Sequence, residues 1–534
     1  MNPGPAPRIR PVTAFAAVAL VAGTALFAAL PTGLRALWPP LVALVVIVLG
    51  RHAMGGLLAG AFAGAVIARH GDPWQAYLSL AADHLAPSLQ SPWKTGAVAF
   101  TLVLGGFAAV LEAGGGFAAL LRRWAGRGDD AGRRVEAAAA GLGLLCFFDG
   151  LANSMVVGRV SRDLADASGV SRAKLAYIVD STSSAVACVA LISTWIAFQL
   201  AMIGEAFALA GREANPYLVF LRSLPANFHC WFTLVLLGVA IGARFHPGPM
   251  AAFAARSRAG AGGGGADADA PGPGAVRAAL VPLAVLLGAF VSGFLAWGDP
   301  APGWPDSRDR IVAAFGSDAG PLVLVTAGLV ATLAAVLLFP AGHGPRPAAP
   351  LRAFGRGALA MVGPLGVLVA AWLLGGVMGE LGTAELIARL LAGGAPLWLL
   401  PTLTFVTGAA ISFATGTSWG TMGLLFPLAV PAAAGLGADD GLLTVIVAAV
   451  FSGAVFGDHC SPFSDTTIVS SISCGIDPHD HVRTQIPYAL IAAAVAVIVG
   501  FVPAGLGVTP WLSLPVGAAL LVALPRLVRG GGRP

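Results

Sequence analysis

Residues 456–471 read FGDHCSPFSDTTIVSS and lie between two long apolar runs. Asp458 and Asp465 stand there among the hydroxyls of Ser461, Ser464, Thr466 and Thr467, and Pro462 removes a backbone donor and disfavours continuous helix. Charged groups at membrane depth are costly and mostly functional. Whether the flanking runs cross lipid therefore decides the fold and what these acids are for.

Of the 534 residues, 57% are hydrophobic and only 11% charged, against roughly 25% in an ordinary soluble domain. Apolar runs of about 20 residues, the length that spans a hydrocarbon core of about 30 Å as helix, recur from end to end. Backbone polar groups in lipid are satisfied only in helices or closed barrels, and the period-2 alternation of a barrel is absent, so the chain reads as an all-α polytopic membrane protein. The net charge of +5 is scattered over short loops, which excludes a nucleic-acid patch. Residues 12–30 read as an uncleaved first span and not as a signal peptide, because the apolar stretch is too long and further spans follow. Cys146, Cys188, Cys230, Cys460 and Cys474 form no CxxC pair and read as buried free thiols.

Twelve spans are expected: 12–30, 36–50, 54–68, 95–113, 175–200, 224–245, 278–297, 319–339, 358–380, 441–474, 486–505 and 509–527. Two further apolar segments, 136–158 and 398–427, are interrupted by FFDGLANS and SFATGTSWGTM and read as re-entrant hairpins. LGGFAAVLE (104–112) resembles LGGVMGEL (374–381) at an offset of 270, LLRRWAG (120–126) resembles IARLLAG (387–393) at 267, and Phe148 matches Phe413 at 265. After each hairpin comes a long apolar segment broken by polar residues, IVDSTSSAVA (178–187) in one half and FGDHCSPFSDTT (456–467) in the other. The common order and near-constant offset mark an internal repeat.

Lys and Arg mark the cytoplasmic side of membrane ends. Nine of them, from Arg122 to Arg134 and from Arg159 to Lys174, flank the first interrupted segment on both sides, whereas Asp439 and Asp440 follow the second. The hairpins thus enter from opposite sides, the first from the cytoplasm, giving an inverted-topology repeat with broken helices, as in many secondary transporters. The expected organisation is N-terminal spans (1–94), a first repeat half (95–245), a flexible cytoplasmic linker (246–277) containing the Gly-rich 256–277, connecting spans (278–357), a second half (358–485) and C-terminal spans (486–534), with both termini cytoplasmic.

Non-helical backbone at membrane depth is tolerated only where protein or a water-filled cavity surrounds it. Two tips and two breaks meeting near the midplane would present carboxylate, hydroxyl and carbonyl oxygens to a hard cation such as Na+. The second half offers Asp458, Asp465, Ser461, Ser464 and Thr466 at its break and Thr415, Thr417 and Ser418 at its hairpin; the first offers Asp149, Asn153 and Ser154 at its tip and Asp180, Thr182 and Ser183 at its break. His459 is a candidate proton relay; next to Cys460 it lacks the third group of a nucleophile or metal site, so no catalytic residue is assigned. Glu112 and Glu380 hold matching places at the ends of repeat-related spans, and His479, Asp480 and His481 read as a solvated loop.

FGDHCSPFSDTT, SFATGTSWGTMG, HVRTQIPYAL and KLAYIVDSTSS resemble the NhaC-type sodium/proton antiporter family of the ion-transporter superfamily, over roughly residues 95–205 and 360–500. The chain departs from the family pattern at Gly150, where FFDG replaces a frequent FFDD, and in lacking a proline after DSTSSAVA. The resemblance implies a bacterial inner-membrane transporter that exchanges Na+ for H+, with no cofactor beyond the transported ions. Membrane lipid and the two ions are its partners, nucleic acid is not, and a homodimer is allowed. Coupled carriage of small organic acids of the malate or lactate type, or of amino acids, is the alternative it implies.

Overall fold

Hydroxyl and carboxylate caps set where the long helices start. Ser91 accepts from the Lys94 amide ahead of Pro92, Ser171 from the Lys174 amide and Asp439 from the Leu442 amide, so Pro92–Ala113, Arg172–Val189 and Asp440–Cys460 each open with an otherwise orphaned donor satisfied. A computed structural model describes residues 11–29, 33–50, 52–125, 130–260, 273–298, 307–340, 348–391 and 396–530. These residues are helical with no strand among them, as the composition requires. Nine of the described helices are long and apolar enough to cross a bilayer, and twelve spans result when each of three bent pairs is taken as one. Residues 261–272 of the expected linker lie outside the described residues; the segment before them is the helix Met250–Gly260.

One order of helices occurs twice. Pro92–Ala113 is followed by the short Gly116–Ala125, a hairpin of Ala131–Leu145 and Gly150–Ala167, and a helix broken into Arg172–Val189 and Thr194–Leu209. Val362–Glu380 is followed by Thr383–Leu391, a hairpin of Leu400–Thr415 and Ser418–Gly435, and a helix broken into Asp440–Cys460 and Asp465–Cys474. The halves interlock through the second arm of each hairpin: Gly150–Ala167 packs on Asp465–Cys474, and Ser418–Gly435 packs on Thr194–Leu209. Small residues allow this closeness. Gly158 of the first half lies against Ser473 of the second, and within the second half Gly457 lies against Ser412, with no room for a methyl group at either glycine.

The two breaks have different causes. In the second half the helix stops at Cys460, Ser461 is extended (ψ 128°), and the chain re-enters helix at Asp465; Pro462 enforces this, where the sequence places it. In the first half the break expected at Asp180–Ser183 is absent. Those residues lie within the continuous helix Arg172–Val189, and the break falls at Ala190–Ser193, with a bend of 44°. The polar run is accommodated within the helix with its hydroxyls satisfied by backward bonds: Thr182 Oγ1 donates to the Ile178 carbonyl (2.9 Å) and Ser183 Oγ to that of Asp180 (2.8 Å).

Candidate functional site: a cavity between two tips and two breaks

Asp149 is the N-cap of Gly150–Ala167. Its Oδ1 accepts from the Ala152 amide at 2.7 Å and its Oδ2 from the Thr194 hydroxyl at 2.8 Å, while the Thr194 amide donates to the Phe148 carbonyl at 2.9 Å. The first tip is thereby clamped to the break of its own half. Thr417 is the matching cap of Ser418–Gly435, its hydroxyl accepting from the Gly420 amide at 3.1 Å. Before it, Gly416 adopts φ +69°, a left-handed conformation that L side chains rarely adopt, and a Cβ there would meet the Phe463 backbone at 2.6 Å. The second tip therefore also rests on the break of its own half.

These four pieces enclose a cavity of about 400 Å³. Asp149, Thr194 and Trp195 line it from the first half; Thr415, Gly416, Thr417, Ser418, Trp419, Asp458, Phe463, Asp465 and Thr466 line it from the second; His52, Ala53 and Met54 complete one wall. Asp458 is 3% exposed and accepts from Ser464 Oγ at 3.1 Å, and its Oδ2 has no hydrogen-bond partner among the described residues. Asp465 opens the Asp465–Cys474 helix and is exposed. Three acids thus line one space, and among the described residues no Lys or Arg lines it. Among the described residues no three His, Cys, Asp or Glu side chains converge in the manner of a resident metal centre.

Several expected site residues stand behind this lining. Ser464 also meets Thr466 Oγ1 at 3.0 Å, and Ser461 Oγ accepts from the Phe463 amide at 3.3 Å, so both shape the turn. Asn153 donates to the carbonyls of Gly143 and Thr182, both at 2.8 Å, tying the hairpin to the neighbouring helix. Ser154 Oγ meets Ser470 at 3.1 Å, across the two halves. Asp180, Thr182 and Ser183 do not line the cavity. Asp180 is fully buried against Gln485 and His481 instead. His459 faces His229, Nδ1 to Nε2 at 3.4 Å, beside a void of about 10 Å³ that Ser181 and Gln485 also line. His481 corrects the loop reading: it lies in the helix Pro478–Val495 and is 0% exposed.

Sequence reasoning missed Thr194, Trp195 and His52. The signal for Thr194 was Ser193 ahead of an apolar run, an N-cap pattern, and Ser193 Oγ does accept from the Ile196 amide at 3.2 Å. Glu380 pairs with Arg69 at 2.6 Å, and Glu112 lies 4.0 Å from Arg159; neither lines the cavity. A largely buried ion pair, Lys94 with Glu205, ties Pro92–Ala113 to Thr194–Leu209, with the ammonium 5.2 Å from the centre of a Trp372 ring.

A model of the Na+/H+ antiporter family matches residues 186–506. An uncharacterised protein of Haemophilus influenzae is 31% identical over 414 residues, which cover 77% of this chain and 79% of that one. The malate-2H(+)/Na(+)-lactate antiporter of Bacillus subtilis is 35% identical over 145 residues, 26% of this chain and 29% of its own. Among solved structures, the YdaH transporter of Alcanivorax borkumensis superposes with a TM-score of 0.57 at 16% identity, covering 82% of this chain and 89% of that one, and so shares the fold.

Proposed function

The chain belongs to the Na+/H+ antiporter family, and from that membership we propose that it exchanges Na+ for H+ across the bacterial cytoplasmic membrane by alternating access, with both termini in the cytoplasm. The observation that carries the reading is the cavity, where three carboxylates and several hydroxyls from two hairpin tips and two helix breaks face one space that no Lys or Arg among the described residues lines. Oxygen ligands of net negative charge suit a small hard cation, and the inverted arrangement supplies two gates that open in turn. Asp458 and Asp465 are the principal ligands, with Thr415, Thr417, Ser418, Thr466 and Asp149 around them.

The test is Na+-dependent dissipation of a pH gradient in inverted vesicles from a strain lacking its own antiporters. Wild type responds, while Asp458→Asn and Asp465→Asn insert normally and fall to background. A wild type inert to Na+, Li+ and K+ across the neutral and alkaline range rejects the exchange.

One observation favours a second reading, in which an organic acid or amino acid moves with the ions. The cavity falls within the range of about 300–1,000 Å³ typical of small-molecule sites, larger than a bare ion needs. The absence of a lining Lys or Arg among the described residues weighs against a carboxylate cargo. Uptake of labelled malate, lactate and amino acids with and without Na+ separates the two readings.

A further inference from the structure

Asp180 is 0% exposed and lies away from the cavity lining, yet it has a built environment of its own. Gln485 Nε2 donates to its Oδ2 at 2.6 Å, His481 Nε2 stands 3.4 Å from the same oxygen, and Ser470 Oγ reaches its Oδ1 at 3.5 Å. His481 and Gln485 are buried too, on the helix Pro478–Val495. We propose that Asp180 and His481 form a proton-carrying site separate from the cation cavity and joined to it by the hydroxyl face of the Asp465–Cys474 helix. The proposal rests on the cation/proton exchange reading and divides its two ions between two places.

Three features support it. First, the surroundings of Asp180 suit either protonation state. Gln485 Oε1 has no hydrogen-bond partner, so turning the amide over lets it accept from a protonated Asp180, as the present orientation lets it donate to the carboxylate. Second, His481 is one turn from water: the helix begins at Pro478, His479 is exposed and His481 is buried. A proton taken up by the imidazole there passes to Asp180 Oδ2, leaving a neutral imidazole and a neutral acid.

Third, the Asp465–Cys474 helix runs from the cavity to this pair, and its inward residues Thr466, Thr467, Ser470, Ser471 and Ser473 are all buried hydroxyls. Thr467 Oγ1 donates to the Asp458 carbonyl at 2.6 Å, and Ser470 meets both Ser154 and Asp180. Thr466 lines the cavity one turn before Ser470, so the two hydroxyls are neighbours on one face of the helix. The helices packed against Arg172–Val189 bring further titratable groups, His459, Asp458 and Cys460 on Asp440–Cys460 and Cys474 on Asp465–Cys474, while Lys174 lies farther along the helix of Asp180 itself.

The test uses the purified full-length protein, with equilibrium binding of radiolabelled Na+ in detergent and Na+-driven proton flux in proteoliposomes. Asp180→Asn binds Na+ within about twofold of wild type, as expected of independent sites, and its flux falls about a hundredfold, the scale of a lost proton-transfer group. His481→Gln slows flux and displaces its pH profile without changing Na+ binding, and Ser470→Ala slows flux alone. Should Asp180→Asn fail to fold, those two variants decide. Wild-type flux in Asp180→Asn, or in both of the others, overturns the proposal, as does loss of Na+ binding in folded Asp180→Asn, which would merge the two sites. Absence of Na+ binding in wild type strikes the exchange reading itself, whereas intact binding with intact flux in Asp180→Asn strikes only the separate proton site.

Discussion

Asp149 serves two partners at once, capping a helix through Oδ1 and holding Thr194 through Oδ2. Its two substitutions therefore separate structure from charge. Asp149→Ala leaves the Ala152 amide and the Thr194 hydroxyl unpaired and destabilises the fold by about 1–2 kcal/mol, read as a lower melting temperature in detergent. Asp149→Asn keeps an acceptor at the cap and melts close to wild type, while both variants lose Na+-dependent exchange. At this scale the sequence was legible where a charge stood in oil: Asp458, Asp465 and Asp149 all line the cavity. It was silent where polarity had a local excuse. His481 sits in PHDHVR, whose polar neighbours look like a loop, and only tertiary packing brings it to Asp180.

The helices themselves were easier to read than their interruptions. Pro462 announces the second break, since it has no amide to continue the helix, and the Asp458 carbonyl left free accepts from Thr467 Oγ1 instead. The first break has no proline or glycine, and Ala190–Leu191–Ile192 is as apolar as any span interior. The polar DSTSS run that attracted the assignment instead bonds to its own helix. Hairpin positions were recovered because a cap residue, Asp149 or Thr417, interrupts each apolar segment. The pair between Lys94 and Glu205 was invisible for the opposite reason, each residue lying near a span end where charge is ordinary. Removing one partner of a largely buried pair strands the other, at about 3–5 kcal/mol. Lys94→Met alone should reduce folded protein in fluorescence-detected size exclusion, and Lys94→Met with Glu205→Leu should recover most of it.

Across the whole molecule, each hairpin leans on the broken helix of the other half, so neither half buries its own surfaces alone. Residues 1–265 or 266–534 expressed singly are expected to be degraded, and the two co-expressed as separate chains to regain Na+-dependent exchange, measured in the same vesicles. The repeat was legible from near-constant offsets, but how the halves interlock was not, because it depends on contacts such as Gly158 meeting Ser473 across the halves rather than on any local pattern. The acids break the resemblance between the halves. In the first, the tip supplies the carboxylate (Asp149) and the break the hydroxyl that meets it (Thr194); in the second, the tip lines the cavity with a hydroxyl (Ser418) and the break with carboxylates (Asp458 and Asp465). A tandem of two first halves would own one acid at each turn and none at the elbows, and a tandem of two second halves two acids at each elbow and none at the turns. The duplicated copies have become a left and a right hand, and a spare of either could no longer replace the other.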